Sequence, residues 1–209
     1  MTNQILPNLE MPRTTRFAEE SEVPRQYWER IAARREAHFS EGFTLKEVKD
    51  TSQQFNFYAE VNVHNSKLWG LFIELTEMLP DVCACLFSFF NDEVNYGEYQ
   101  SKELVLAIIG SLKKELIEDC RMEFGLIYND EESLVEVYVA ESKFIKVWGV
   151  DKQLFKQIMQ RNGIPEFDEM RFVDEYPKVV VPLTTLDADA KSTEEIIDLL
   201  EKAFVINPE

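Results

Sequence analysis

Glycine is scarce in this chain, with seven residues in 209. Neither G-x-G-x-x-G nor G-x-x-x-x-G-K occurs, so the sequence offers no glycine-rich loop of the kind that cradles nucleotide phosphates. The acidic residues do not follow the spacing of a calcium-binding loop either. We therefore expect no cofactor and no bound metal.

Cysteine and histidine are also rare, with three and two residues. A small, odd number of cysteines argues against a disulfide framework and favours a reducing compartment. Cys83 and Cys85 are two positions apart on a predicted buried strand, where they share one face. Metal sites usually need wider spacing and further ligands, whereas buried cysteine behaves as a small hydrophobic residue. Both thiols are therefore expected in the core.

Long apolar runs are missing as well. The longest, residues 82–90, has nine residues, whereas a membrane helix needs about 20. The first ten residues contain no positive cluster followed by an apolar run, so no secretory signal is expected. Together these absences predict a soluble, cytoplasmic protein.

Basic residues are also few compared with acidic ones. The chain has 22 Lys and Arg against 39 Asp and Glu, a net charge of −17. Residues 1–50 hold eight basic and nine acidic side chains, so almost all of the negative surplus lies in residues 51–209. Binding to nucleic acid or to an anionic membrane is not expected, because it depends on Lys and Arg. Basic proteins are the natural partners of so negative a body.

Hydrophobic periodicity predicts an α+β fold. Residues 55–63 alternate as in a strand with one wet face, and residues 82–90 are apolar on both faces. The remaining pattern predicts a hairpin over residues 121–140, a strand at 144–148, short strands at 170–173 and 178–181, and helices over residues 66–79, 101–116, 151–162 and from 193 onwards. We predict a mixed, largely antiparallel sheet with helices packed on it.

The chain divides at residue 50 in this interpretation. Residues 1–50 form an N-terminal extension with one helix, over residues 25–39, and residues 51–209 form a single acidic α+β domain. The helix has only a thin apolar stripe, so we interpret it as an arm that docks onto another surface. Within the domain, helix-start signals are predicted at Ser66, Ser101, Asp151 and Ser192, and a helix end at Gly163.

Acidic loops are the candidate binding residues. A solvated surface is the plainer interpretation, but tyrosine beside acid favours an interface, because tyrosine is enriched at binding hot spots and carboxylates pair with arginine. A third acidic stretch, residues 166–175, has five acids against Arg171. The residues that we expect to contact a partner are Asp92, Glu93, Tyr96, Glu98, Tyr99, Asp130, Glu131 and Glu132.

The sequence thus favours a binding protein over an enzyme. The leading hypothesis is an acidic inhibitor of a basic protein, of which a bacterial immunity protein that neutralises a cognate toxin is the most familiar instance. The likeness is one of general character, because no motif carries it. The oligomeric state stays open.

Two alternatives remain. The chain could be an adaptor or regulatory subunit that binds through its N-terminal helix, or a cofactor-free enzyme that uses His64 as a base. The plainer interpretation of His64 is a surface residue at a helix start. Trp69 and Trp148 are interpreted as core or core-edge anchors rather than ligand platforms.

Overall fold

The computed structural model describes residues 5–6, 9–50 and 52–205 of the chain. Twelve strands lie within these residues: β1 (Ile5–Leu6), β2 (Leu9–Glu10), β3 (Thr15–Phe17), β4 (Gly42–Glu47), β5 (Phe57–Asn62), β6 (Val82–Phe89), β7 (Asn95–Tyr96), β8 (Gln100–Ser101), β9 (Met122–Asn129), β10 (Leu134–Val139), β11 (Ile145–Gly149) and β12 (Lys178–Val180). The α-helices of the same residues are α1 (Trp28–Glu36), α2 (Asn65–Leu75), α3 (Lys102–Gly110), α4 (Lys113–Glu118), α5 (Lys152–Arg161), α6 (Leu183–Leu186) and α7 (Thr193–Phe204).

Eight strands form one sheet in the order β4-β5-β11-β10-β9-β6-β7, and β8 pairs with the start of β6. Every ladder between these described strands is antiparallel, and the parallel pairing in this part of the chain is an isolated bridge from Phe43 to Glu166. The predicted α+β fold with a largely antiparallel sheet and packed helices is confirmed. β5 and β6 run in the same direction, but three strands separate them.

One face of the sheet is buried under helices. We call it the helix-covered face, and its side chains include Phe57, Ala59, Val61, Cys83, Cys85, Phe87, Phe124, Leu126, Val137 and Val147. They pack against apolar residues of α2, α3, α4, α5 and α7 in one continuous core. The period-two alternation of the strands therefore supplies one apolar layer and the helices supply the other.

The opposite face has a different composition. We call it the mixed face, and its side chains include Lys46, Tyr58, Glu60, Ala84, Leu86, Ile127, Glu136, Tyr138, Lys146 and Trp148. Met170 and Phe172, from the irregular segment after α5, cover part of it. The predicted strand at residues 170–173 is wrong. The backbone N–H of Phe172 donates to the Glu175 carboxylate at 2.7 Å, so this segment contributes side chains rather than a ladder.

Most helix starts follow their predicted signals. Ser101 and Asp151 accept a hydrogen bond from the N–H three residues later, and Ser192 forms a capping box with Glu195. Gly163 has φ +67°, as a helix C-terminus in the left-handed region requires.

Ser66 is not the helix cap that the sequence suggests. α2 begins one residue earlier, at Asn65. The N–H of Ser66 donates to the Glu10 carboxylate at 3.2 Å, and the N–H of His64 donates to Glu41 at 3.1 Å. Carboxylates from the N-terminal segment thus satisfy the free N–H groups at this helix start, which a local pattern does not reveal.

The first fifty residues contribute directly to the fold. β4 pairs with β5 from Gly42 to Glu47 and forms an edge of the large sheet. β3 pairs with β12 in a separate two-stranded sheet. The helix α1 is shorter than predicted and buries only Ile31 among its side chains. The division at residue 50 stays a prediction, but the strand before it belongs to the sheet.

None of the described helices combines the length and the apolar run that crossing a membrane requires.

Candidate functional site

The expected partner-binding residues fall at two ends of the sheet. Asp92 and Glu93 follow β6, where the N–H of Asp92 donates to the carbonyl of Phe89 at 3.0 Å. The chain then returns along β6, so Tyr99 lies near the start of that strand, because Gln100 pairs with Cys83. At a rise of about 3.3 Å per residue, the two ends of β6 are roughly 23 Å apart. Asp92 and Glu93 are therefore separated from Tyr99, while Tyr96 lies between the two ends, opposite Leu86.

Tyr99 joins the remaining residues into one surface. Its hydroxyl donates to the carbonyl of Asn129 at 3.0 Å and accepts from the N–H of Asn129 at 2.8 Å. Its ring packs edge-on against Tyr128, with the centroids 6.0 Å apart. Two loops that are distant in sequence are thus held together by one side chain.

Asp130 shapes the β9–β10 turn. One carboxylate oxygen accepts the N–H groups of Glu132 and Ser133 at 2.9 and 2.7 Å, and the other accepts the Tyr128 hydroxyl at 2.8 Å. The backbone N–H of Glu132 and the other donors hold the pKa of Asp130 below its usual range, and the bond to Asp130 raises the pKa of Tyr128. Asp130 is therefore engaged within the turn, whereas Glu131 and Glu132 extend into solvent.

We name the resulting surface the acidic end surface. Tyr96 lies beside it on the edge strand β7 and is 64% exposed, and Tyr99 is 47% exposed. The members of the acidic end surface are Glu98, Tyr99, Asp130, Glu131 and Glu132.

The third acidic stretch lies elsewhere, along the wall of a cleft of about 1200 Å³ on the mixed face. Gly42 allows this wall to approach, because a Cβ there would lie 2.5 Å from the ring of Phe167. The residues that line the cleft are Glu36, Ala37, His38, Ser40, Thr44, Lys46, Glu60, Phe144, Lys146, Phe167, Asp168, Glu169, Met170, Arg171, Phe172, Asp174 and Glu175. The floor of the cleft is formed by polar residues of the alternating strands, such as Glu60 and Lys146. The sequence indicates these positions because every second residue of such a strand lies on the same face.

A partly buried charge cluster anchors the cleft wall. Lys178 forms ion pairs with Glu141 and Asp174, and its ammonium lies 2.6 Å from the Ser142 hydroxyl. Burial acts to lower the pKa of Lys178, but Asp174 and Glu141 outweigh it, so the pKa is raised. Lys178 therefore stays charged and ties the wall to the β10–β11 turn.

His64 has partners at both ring nitrogens. Its Nδ1 accepts the N–H of Glu10 at 2.9 Å, and its Nε2 lies 3.4 Å from the Glu41 carboxylate. These contacts connect the N-terminal segment to the start of α2. The arrangement gives no specific support to a catalytic base, because an available nitrogen is what such a base requires.

The three cysteines are free and buried. Burial raises the pKa of Cys83 and of Cys120 to about 11 and raises that of Cys85 as well, so all three stay protonated near neutral pH. Within residues 5–6, 9–50 and 52–205, no group of three or more His, Cys, Asp or Glu side chains could hold a metal ion.

Comparison with protein-family models, with curated proteins and with solved structures gives no match for this chain.

Proposed function

We propose that this chain is a non-enzymatic acidic binding protein that inhibits a basic protein partner in the cytoplasm. A bacterial immunity protein that neutralises a cognate toxin is the form of this proposal that fits the charge and size of the chain. The acidic end surface is the proposed contact.

The observation that carries the proposal is the pair of hydrogen bonds between Tyr99 and Asn129. They hold two acidic loops in one fixed surface, and a surface that is already ordered loses less entropy on binding. Glu131 and Glu132 are exposed, and within the described residues no hydrogen bond or ion pair engages their carboxylates. They are available to pair with arginine or lysine.

The mechanism has two stages. The net charge of −17 attracts a basic partner over several ångströms and raises the association rate, an effect that salt screens. Contact then places the carboxylates of the acidic end surface against cations of the partner, while the exposed rings of Tyr96 and Tyr99 supply packed area.

The experiment compares two double charge reversals that change the net charge equally. Partners are first captured on the tagged protein at low salt, released at high salt and identified by mass spectrometry. Association is then measured for Glu131→Lys/Glu132→Lys and for Asp92→Lys/Glu93→Lys. We expect the first variant to slow association about tenfold or more at low salt, and the second to have a clearly smaller effect.

Equal effects of the two variants would mean that only the total charge matters, and the acidic end surface would lose its assignment. Failure to capture any basic protein would contradict the proposal that this chain inhibits a basic partner.

One observation favours a second candidate, an adaptor that binds through α1. This helix buries only Ile31, and Trp28 at its start is 40% exposed. Removing residues 1–45 would also remove most of β4, so substitution is the cleaner test. Trp28→Ser should abolish partner capture if α1 is the contact, and should leave capture unchanged if the acidic end surface is.

A further inference from the structure

The mixed face carries an aromatic pair beside a carboxylate. Cross-strand register places Tyr58, Trp148 and Glu136 side by side on β5, β11 and β10. The ring centroids of Tyr58 and Trp148 are 4.9 Å apart, with an angle of 44° between the planes. All three side chains are half-buried, so they are partly packed and still contact solvent.

The Glu136 carboxylate on this face is half-buried. Within the described residues, no donor forms a hydrogen bond or an ion pair with its carboxylate. Burial raises its pKa to about 7, and the attraction of Lys146 only partly opposes this shift. The ammonium of Lys146 instead lies 5.3 Å from the centroid of the Phe144 ring. A carboxylate that is partly removed from water and has no donor carries a desolvation cost that a cation would offset.

A second carboxylate borders the aromatic pair on the other side. The hydroxyl of Tyr58 donates to Glu60 at 2.8 Å, and Glu60 also lines the cleft. Two aromatic rings thus lie between two carboxylates. This combination suits a flat organic cation, because aromatic faces attract positive charge and carboxylates pair with it.

We propose that Tyr58, Trp148 and Glu136 form a binding site for an arginine side chain of the basic partner, an inference that rests on the proposed function. A guanidinium is planar, so it stacks on the indole and offers parallel N–H groups to Glu136 at the same time. A lysine ammonium is a point charge and lacks the stacking contact. An anion would be repelled by Glu136, and an apolar ligand would desolvate it further.

The adjoining cleft accommodates the residues that flank this arginine. Its floor residues Glu60 and Lys146 belong to the same two strands as Tyr58 and Trp148. Asp168 and Glu169 on its wall are exposed. An extended basic segment could therefore pass from the aromatic pair into a cleft whose wall is negative.

The test uses short peptides of defined charge on the full chain. Binding of acetyl-triarginine amide, its trilysine counterpart and the uncharged tricitrulline analogue is measured by calorimetry at low salt. We expect triarginine to bind in the millimolar range or better, trilysine to bind more weakly and tricitrulline not to bind. Trp148→Leu should weaken triarginine binding about fivefold, and Glu136→Gln about tenfold.

Asp198→Asn is the matched control for charge. It removes one negative charge from an exposed position on α7, which packs on the helix-covered face. Its effect on triarginine binding should be less than about twofold, because an exposed distant charge is screened. The site is ruled out if triarginine does not bind, if Trp148→Leu leaves its affinity unchanged, or if Asp198→Asn weakens binding as much as Glu136→Gln.

A spectroscopic readout separates this site from the acidic end surface. The side-chain carboxyl carbon of Glu136, followed by NMR, should titrate near pH 7 in the free protein, as its pKa of about 7 requires. Saturating triarginine should lower that midpoint by about one pH unit, because a bound cation favours the charged carboxylate. An unchanged midpoint contradicts the site even when no natural partner has been captured, whereas the Glu131→Lys/Glu132→Lys comparison tests the proposed function separately.

Discussion

On the helix-covered face, side chains of the central strands are buried against five helices, whereas on the mixed face the same strands present lysine, glutamate, tyrosine and tryptophan. The cover differs as well. Helices pack on the first face, while residues 166–172 cross the second face outside any helix or strand and leave a cleft beside them. The same strands therefore have an apolar, helix-packed environment on one face and a partly solvated, charged environment on the other.

The two faces therefore contribute differently, one to stability and the other to the chemistry of the surface. An apolar layer packed on helices removes side chains from water and supplies most of the stability. A face that is only partly covered can keep charged groups, because water still reaches them, yet burial alters their chemistry. Glu136 illustrates this, since it is half-buried, unpaired among the described residues and has a raised pKa.

The largest expected effect compares aromatic truncations on the two faces. Phe124 is 1% exposed and packs edge-on against Phe72, with the ring centroids 5.1 Å apart. Phe124→Ala should lower the free energy of unfolding by about 3–5 kcal/mol, because it leaves a cavity in the core. Trp148→Leu, on the mixed face, should cost only about 1–2 kcal/mol. Urea unfolding measures both losses. Equal losses would contradict the conclusion that the helix-covered face supplies most of the stability.

A pair of glycine substitutions tests the contact that positions the cleft wall. Gly42→Ala should lower the free energy of unfolding by about 2 kcal/mol, because the added Cβ would overlap the ring of Phe167. Gly70→Ala is the matched control, since a Cβ there has no neighbour within 4 Å and the site is an exposed helix interior. It should raise stability by about 0.5–1 kcal/mol. Thermal unfolding of both variants checks that the first is less stable and the second more stable than the wild type. An unchanged stability of Gly42→Ala would show that Phe167 moves aside at little cost.

The last expected effect is a pH dependence of stability at Glu136. Its pKa rises from an ordinary 4.5 to about 7 in the folded chain, so the folded state binds this proton more tightly than the unfolded state. The resulting stability is fully present below pH 4.5 and is lost as the pH rises through 7. Contact with water reduces the effect to about 1–2 kcal/mol.

The measurement is the free energy of unfolding of the wild type minus that of Glu136→Gln, from pH 4.5 to 8. Taking the difference removes other titrating groups, such as Glu141. The difference should fall as the pH rises; a flat or rising curve would mean that Glu136 is well solvated.

Local patterns predicted much of the fold. The alternation in residues 55–63 and the apolar run in residues 82–90 correspond to β5 and β6, and the caps at Ser101, Asp151 and Ser192 begin α3, α5 and α7. The pattern was less accurate for the buried side of α3. Leu104 is 48% exposed, whereas its equally apolar neighbour Val105 is buried. A helix that is apolar on every side does not reveal which side faces the core.

Local sequence patterns predicted the candidate sites less well than the fold. Loop composition identified the residues of the acidic end surface, but it grouped Asp92 and Glu93 with residues at the other end of β6. The hydrogen bonds from Tyr99 to Asn129 join positions 30 residues apart, and the cleft assembles α1, β4, β5, β11 and residues 167–175. Contacts of this kind depend on strand order, which the predicted elements left undetermined.

The sequence by itself determined the charge, the two periodicities of strands and helices, and the starts of α3, α5 and α7, because these depend on residues close together in the chain. Only the tertiary structure decided which strands are neighbours, which side of α3 is buried, and which acids share a surface. It also decided that Glu136 lies opposite Trp148 and is half-buried. The physical reason is that burial and electrostatic environment come from residues distant in sequence, and the same glutamate has an ordinary pKa in water and a raised one beside buried neighbours.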